Sequence, residues 1–261
     1  MLLENKNAVV YGAGGFIGGA VARTFAREGT RVFLCGRTRE KLEMVASDIG
    51  ATGGLARVAG LDALDEEAVD EHAAQVASEG GSLDVSFNLI WRGDVQGIPL
   101  LDMATEDCIR PVTTGITTNF VTARAAARRM IEQGSGVILA LNSGSAYGSP
   151  MMGGTGPADA ATDTFVRNLA AEVGPQGVRV LGLWTAGLPE TLSPERLAEV
   201  DSKFADKAAF EGLIERLDQM RMTRRSPRLA EVADTAAFLA SDKAGAITGT
   251  FVNVTSGMFP S

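Results

Sequence analysis

Ala8-Val9-Val10-Tyr11-Gly12-Ala13-Gly14-Gly15-Phe16-Ile17-Gly18 is the stretch that decides the fold. Ala8–Tyr11 reads as a short buried strand and the glycines as a tight turn. Ile17, Val21 and Phe25 then fall at helical spacing. Strand, glycine turn and helix in this order suit a pyrophosphate. The glycines let the backbone approach the phosphates, and the helix N-terminus supplies N–H groups and the positive end of its dipole. Gly12, Gly15, Phe16, Ile17 and Gly18 are therefore candidate cofactor-binding residues. The plainer alternative is a turn that merely needs small residues. The position of the motif ahead of a second strand, Arg31–Cys35, favours a dinucleotide.

Working outward, strands and helices alternate along the whole chain. Further strands are expected at Leu55–Ala59, Asp84–Ile90, Gly136–Leu141, Val178–Trp184 and Thr250–Val254. Helices are expected near Thr38–Ile49, Asp65–Glu79, Thr113–Gln133 and Pro157–Val173, with another through Leu229, Val232, Ala236 and Leu239. Short apolar strands alternating with amphipathic helices mean a parallel sheet covered on both faces. The expected fold is a single α/β domain over 1–261, a Rossmann-like doubly wound parallel sheet. The charged, partly helical stretch Leu188–Arg228 reads as a substrate lid over the carboxyl ends of the strands. A solvated helical connection is the alternative.

Composition narrows the partners. The chain has 261 residues, 45% apolar and 21% charged, ordinary for a soluble globular protein. One α/β domain of roughly this length is common. With 24 Lys and Arg against 32 Asp and Glu, the net charge is −8, and no basic stripe invites nucleic acid. Cys35 and Cys108 do not make a disulfide framework, and Cys35 lies in an apolar run that suits the core. No 18-residue apolar run suggests a membrane span, and Met1–Asn7 does not read as a signal peptide. A reducing cytoplasm, and a small-molecule substrate, fit these features. His72, the one histidine, sits in an acidic helix and reads as a solvated surface residue, and no cluster has metal-ligand spacing.

The second strand ends Leu34-Cys35-Gly36-Arg37. Gly36 occupies the place where a carboxylate would hold the ribose hydroxyls of NAD(H). Arg37 offers a guanidinium for a 2′-phosphate, so NADP(H) is expected, NAD(H) less so. The alternative is an arginine on a helix-capping turn beside Glu40.

With these motifs in place, the chain resembles the short-chain dehydrogenase/reductase family from end to end. Gly12, Gly15 and Gly18 match the glycine spacing of its extended branch, whereas the compact branch would put glycine at Phe16. The resemblance implies that Asp62 contacts the adenine ring and that Asn88 begins the motif after the fourth strand. Leu89-Ile90-Trp91 departs from that motif. Gly187 and Thr191 match the loop that holds the nicotinamide carboxamide, with Ala186 for its proline. Phe238–Asp242 and Thr248–Thr250 match the family's C-terminus. It also implies a homodimer or homotetramer built on the helices Thr113–Gln133 and Pro157–Val173.

The same resemblance implies a serine, tyrosine, lysine and asparagine in the catalytic site. Ser143 fills the serine position, but Thr155, Asp159 and Gly115 stand at the other three. A free phenol has a pKa of about 10, so the family tyrosine needs its cation, and neither is present. Asp159 reads as a complement to the dipole of a helix beginning at Pro157. Tyr147, four residues past Ser143, is the candidate replacement donor, or else a pocket wall, and Arg92 or Arg110 could approach it only through the fold. Trp91 could narrow the cleft. Ser143 and Tyr147 are thus the catalytic candidates of an NADP(H)-dependent oxidoreductase of small carbonyl or alcohol substrates. The competing expectation is a cofactor-binding isomerase, cyclase or lyase, or a silent member on the same scaffold.

Overall fold

The structure, a computed structural model, describes residues 1–198 and 202–259. The chain runs β1 (Asn7–Tyr11), α1 (Phe16–Arg27), β2 (Arg31–Gly36), α2 (Arg39–Ala51), β3 (Leu55–Gly60), α3 (Glu66–Gly80) and β4 (Val85–Asn88). It continues through α4 (Thr105–Gln133), β5 (Gly136–Asn142), α5 (Thr155–Val173), β6 (Val178–Trp184), α6 (Pro194–Ala198), α7 (Lys207–Gln219), α8 (Leu229–Ala240) and β7 (Phe251–Asn253). Seven strands form one sheet in the order β3-β2-β1-β4-β5-β6-β7. Every pairing is parallel. This is the expected doubly wound Rossmann-like domain.

Alternate residues of each central strand point to opposite faces, and each face has its own core. Val10, Leu34 and Phe87 pack with Phe25, Leu42 and Leu239, from α1, α2 and α8. Val9, Phe33 and Ile138 pack with Val76, Met130 and Val166, from α3, α4 and α5. Burying one such side chain is worth about 1.5–3 kcal/mol, so both faces contribute to holding the sheet. The strand order reverses between β1 and β4, which opens a crevice at their carboxyl ends.

Three expectations need correction. The long helix starts at Thr105, eight residues before the expected Thr113. Its first turn carries Glu106 and Asp107, which favour the positive dipole end, and Pro111 is carried inside it. The next helix starts at Thr155 and not at Pro157. Pro157 is its third residue, where an N–H has no intrahelical partner to lose. Finally, His72 is buried, not solvated. It shares the inward face of α3 with Val69, Ala73 and Val76, a helical spacing that was readable beforehand. Its ring nitrogens lie 3.6 and 3.7 Å from the Cys35 Sγ, and its ring meets Phe33 edge-on.

Candidate active site

The glycine turn sits at the reversal point of the sheet. The Gly12 and Ala13 N–H groups donate to the Cys35 carbonyl at 2.8 and 3.2 Å, tying the turn to the end of β2. Gly12 has φ +78°, and a Cβ there would lie 2.4 Å from the Leu89 carbonyl oxygen, just past β4. A Cβ on Gly18 would lie 2.2 Å from the Gly12 carbonyl oxygen. Both neighbours are backbone, so neither can yield, and only glycine allows α1 to start this close to β1 and β4. The N-terminus of α1 is capped by Gly15 with no side-chain hydrogen bond. Glycines leading into a helix N-terminus fit a dinucleotide pyrophosphate.

Around this turn stand the other candidates. Arg37 is exposed just beyond β2 and makes no ion pair among the described residues, with Glu40 or any other acid. Asp62 follows β3 and accepts from the Leu64 N–H at 3.0 Å. Asn88 ends β4, buried, donating to Thr118 Oγ1 at 3.1 Å and accepting from the Ile90 N–H at 3.1 Å. Beyond β6, Gly187 takes φ +56° and the Thr191 hydroxyl donates to the Leu188 carbonyl at 2.8 Å. Arg221, itself buried, clamps this loop by donating to the Ala186 and Gly187 carbonyls at 2.8 and 3.1 Å.

The remaining candidates lie where β5 and α5 meet. Ser143 follows the last residue of β5. Its hydroxyl donates to Asp159 Oδ2 at 2.6 Å. The same oxygen accepts from the Ser143 and Ser145 N–H groups, each at 3.0 Å. Asp159 is fully buried, and its other oxygen pairs with Arg92 Nη1 at 2.9 Å. Arg92 turns its second edge to Asp94, at 3.2 Å. Burial works against the Arg92 charge, but Asp94 and Asp159 outweigh it and hold the guanidinium above its ordinary pKa. Thr155 is buried beneath this group, donating to Asp94 at 2.8 Å and accepting from Gln96 Nε2 at 3.2 Å.

Gly115 explains how Arg92 reaches Asp159. A Cβ on Gly115 would stand 2.7 Å from Arg92 Cδ, so the arginine stem occupies the space beside α4 that a larger residue would claim. The reading of Asp159 as a dipole complement on an exposed helix start is therefore incorrect. It is the buried acceptor of a network that sequence reasoning did not assemble. Arg110 stays with Asp107 and the Gly93 carbonyl. One turn along α5, Asp163 accepts from Asn142 Nδ2 at 2.8 Å, and burial raises its carboxyl pKa.

Tyr147 lies on the short turn after Ser143, 65% exposed, with its ring edge-on to Trp184 at 5.4 Å. Trp91 is also exposed. Phe259 folds back from the C-terminus onto Gly144, where a Cβ would meet its ring at 2.9 Å. Of the helices past β6, α7 buries no residue fully. Among the described residues no His, Cys, Asp or Glu group could hold a metal ion, and no helix is long and apolar enough to cross a membrane.

Comparison with known proteins adds the following. The family described as Enoyl-(Acyl carrier protein) reductase matches residues 12–259. The chain is 33% identical to an L-rhamnose 1-dehydrogenase (NAD(P)(+)) of Azotobacter vinelandii, over 99% of this chain and 98% of that protein. It superimposes on an NAD+-bound xylitol dehydrogenase with a TM-score of 0.87 at 27% identity, covering 98% of this chain and all of that one (100%). A short-chain type dehydrogenase/reductase from Mycobacterium marinum gives a TM-score of 0.82 at 25% identity, covering 99% and 97%.

Proposed function

The chain belongs to the short-chain dehydrogenase/reductase family, and from that premise we propose that it is an NADP(H)-dependent oxidoreductase interconverting a small alcohol and its carbonyl compound. The observation that carries this reading is the glycine cradle. Gly12 and Gly18 touch neighbouring backbone at the sheet's reversal point, at the start of α1. A bound nicotinamide dinucleotide supplies the hydride acceptor or donor. Gly12, Gly15, Phe16, Ile17 and Gly18 would take its pyrophosphate, Asp62 and Asn88 its adenosine side, and Gly187 and Thr191 its nicotinamide side. Arg37 would pair with the 2′-phosphate. Ser143 and Tyr147 would meet the substrate, and residues 188–228, of which 199–201 lie outside the described residues, would cover it. Sugars and polyols are the first substrates to assay, because relatives named for L-rhamnose and xylitol span nearly the whole chain.

Calorimetry with NADPH and NADH tests the cofactor. NADPH should bind more tightly, and Arg37→Ala should weaken it by about tenfold, the scale of one partly screened charge-assisted hydrogen bond. Equal affinities, or no effect of Arg37→Ala, would refute the preference.

Thr155 and Asp159, where the family places tyrosine and lysine, favour a second reading: a protein that binds the cofactor without redox turnover. Tight NADPH binding with no turnover on any alcohol or carbonyl compound would select it.

A further inference from the structure

The buried network around Asp159 has a consequence for which partner of the redox couple the cleft recognises. We propose that Asp159, fastened by Arg92, fixes Ser143 as a hydrogen-bond acceptor, so that the site recognises a substrate hydroxyl in preference to a carbonyl oxygen. This rests on the proposed function only in placing the substrate beside Ser143.

A serine hydroxyl has one proton to give and two lone pairs. The directions of the surrounding bonds follow from groups that cannot reverse. Arg92 Nη1 and the Ser143 and Ser145 N–H groups are obligate donors, and all three point at the Asp159 carboxyl. A carboxyl ringed by donors is an acceptor-only carboxylate. The Ser143 hydroxyl, 2.6 Å from the same carboxylate, must therefore donate to it. Its neighbour Ser145 Oγ, 2.7 Å away, can then only donate to Ser143. That bond takes one lone pair. The long 3.4 Å approach of the Ser145 N–H is too weak to claim the other. What remains at Ser143 is a single lone pair and no proton. A substrate O–H can donate to it; a carbonyl oxygen placed there finds only another acceptor.

Arg92 is part of the device. Its guanidinium supplies both a donor and a compensating charge to the buried Asp159 carboxyl, at 2.9 Å. Both residues act through Ser143 and are positioning residues. Gly115 supplies the space that lets the guanidinium arrive.

Neutron diffraction from crystals of the deuterated wild-type protein tests the claim without knowledge of the substrate. The Ser143 deuteron should lie on the line to Asp159 Oδ2, with none on Asp159. A deuteron on Asp159, or a Ser143 deuteron turned away from Asp159, overturns the proposal. In solution, cyclohexanol and cyclohexanone serve as size-matched probes, followed by saturation-transfer NMR on the NADPH-loaded protein. The alcohol should bind about tenfold more tightly, the scale of one net hydrogen bond. In Arg92→Met/Asp159→Ala, which removes the pair together and leaves Asp94 with Thr155 as its donor, Ser143 can donate and the ratio should fall to near one. Equal binding in the wild type, or an unchanged ratio in the double variant, overturns the proposal. If the site admits neither probe, or the variant does not fold, the deuteron positions decide. Calorimetry with NADPH alone keeps the two readings apart: its failure would sink the proposed function and leave the direction of the Ser143 bond as measured.

Discussion

Removing the Asp159 carboxylate should cost more than removing it together with its cation. In Asp159→Ala, the Ser143 and Ser145 N–H groups and the Ser143 hydroxyl all lose their acceptor. Arg92 keeps only Asp94. A buried donor left without a partner costs about 1–3 kcal/mol, and breaking a buried ion pair on one side costs about 3–5 kcal/mol. Retention of Asp94 and water entry beside half-buried Ser143 reduce the total, so about 3 kcal/mol is expected. For a chain of this size that is a fall in Tm of about 6–12 °C. Arg92→Met/Asp159→Ala removes both charges but leaves Asp94 with Thr155 alone, so only part of the loss should be recovered. Thermal unfolding at one fixed protein concentration, with urea titration as a second measure, gives both numbers. A loss below about 1 kcal/mol for Asp159→Ala would show that the pair does not hold this end of α5.

Reduction of ordinary ketones with NADPH should run about 10²–10⁴-fold below a relative with the tyrosine and lysine in place, the usual worth of general acid catalysis. Steady-state rates should fall further in Tyr147→Phe than in Thr155→Ala; the opposite order would place the chemistry on α5. The His72 pKa is lowered, chiefly by burial and with Glu79 partly offsetting, so the unfolded chain binds a proton that the folded one resists. Stability should therefore be lost as pH falls from about 6.5 toward the lower folded value, and denaturant titrations should show this slope flattened in His72→Leu; an unchanged slope would locate it elsewhere. The exposed Phe120, with Ile109 and Ile131 on the same long helix, should be covered in a homodimer or homotetramer, and light scattering that reports a 27.2 kDa monomer would rule this out.

The fold was legible because its signals are local. Glycine spacing, strand length and helical periodicity each report on a few neighbouring residues, and six strands and a closing one emerged close to their true positions. The helix starts at Thr105 and Thr155 were missed for a common reason. Pro157 read as the first helical position, whereas packing between α4 and α5 lets α5 begin two residues earlier and α4 carry Pro111 inside it. Gly154 shows that packing, since a Cβ there would lie 2.0 Å from the Cys108 carbonyl oxygen. The alignment of Ser143, Thr155, Asp159 and Gly115 to one site was also legible, but its electrostatics were not. Arg92 is 67 residues from Asp159, and no periodicity reports where the segment after β4 folds. The one available clue was the pair of departures itself. An acid on α5 and a glycine on α4, both at expected site positions, leave a charge to neutralise and a space to fill, which one arginine can do.

That arrangement also shapes the routes by which this sequence can change. Asp159→Lys alone would set an ammonium against the Arg92 guanidinium, and replacing Arg92 alone would strand the carboxylate. A larger residue at Gly115 would push Arg92 away before either had changed. Changing Arg92, Asp159 or Gly115 alone therefore disturbs a contact that the other two keep. Three positions on three separate segments are coupled by direct contact. An engineer seeking to restore ordinary ketone reduction would have to move them together, with Thr155, or not at all.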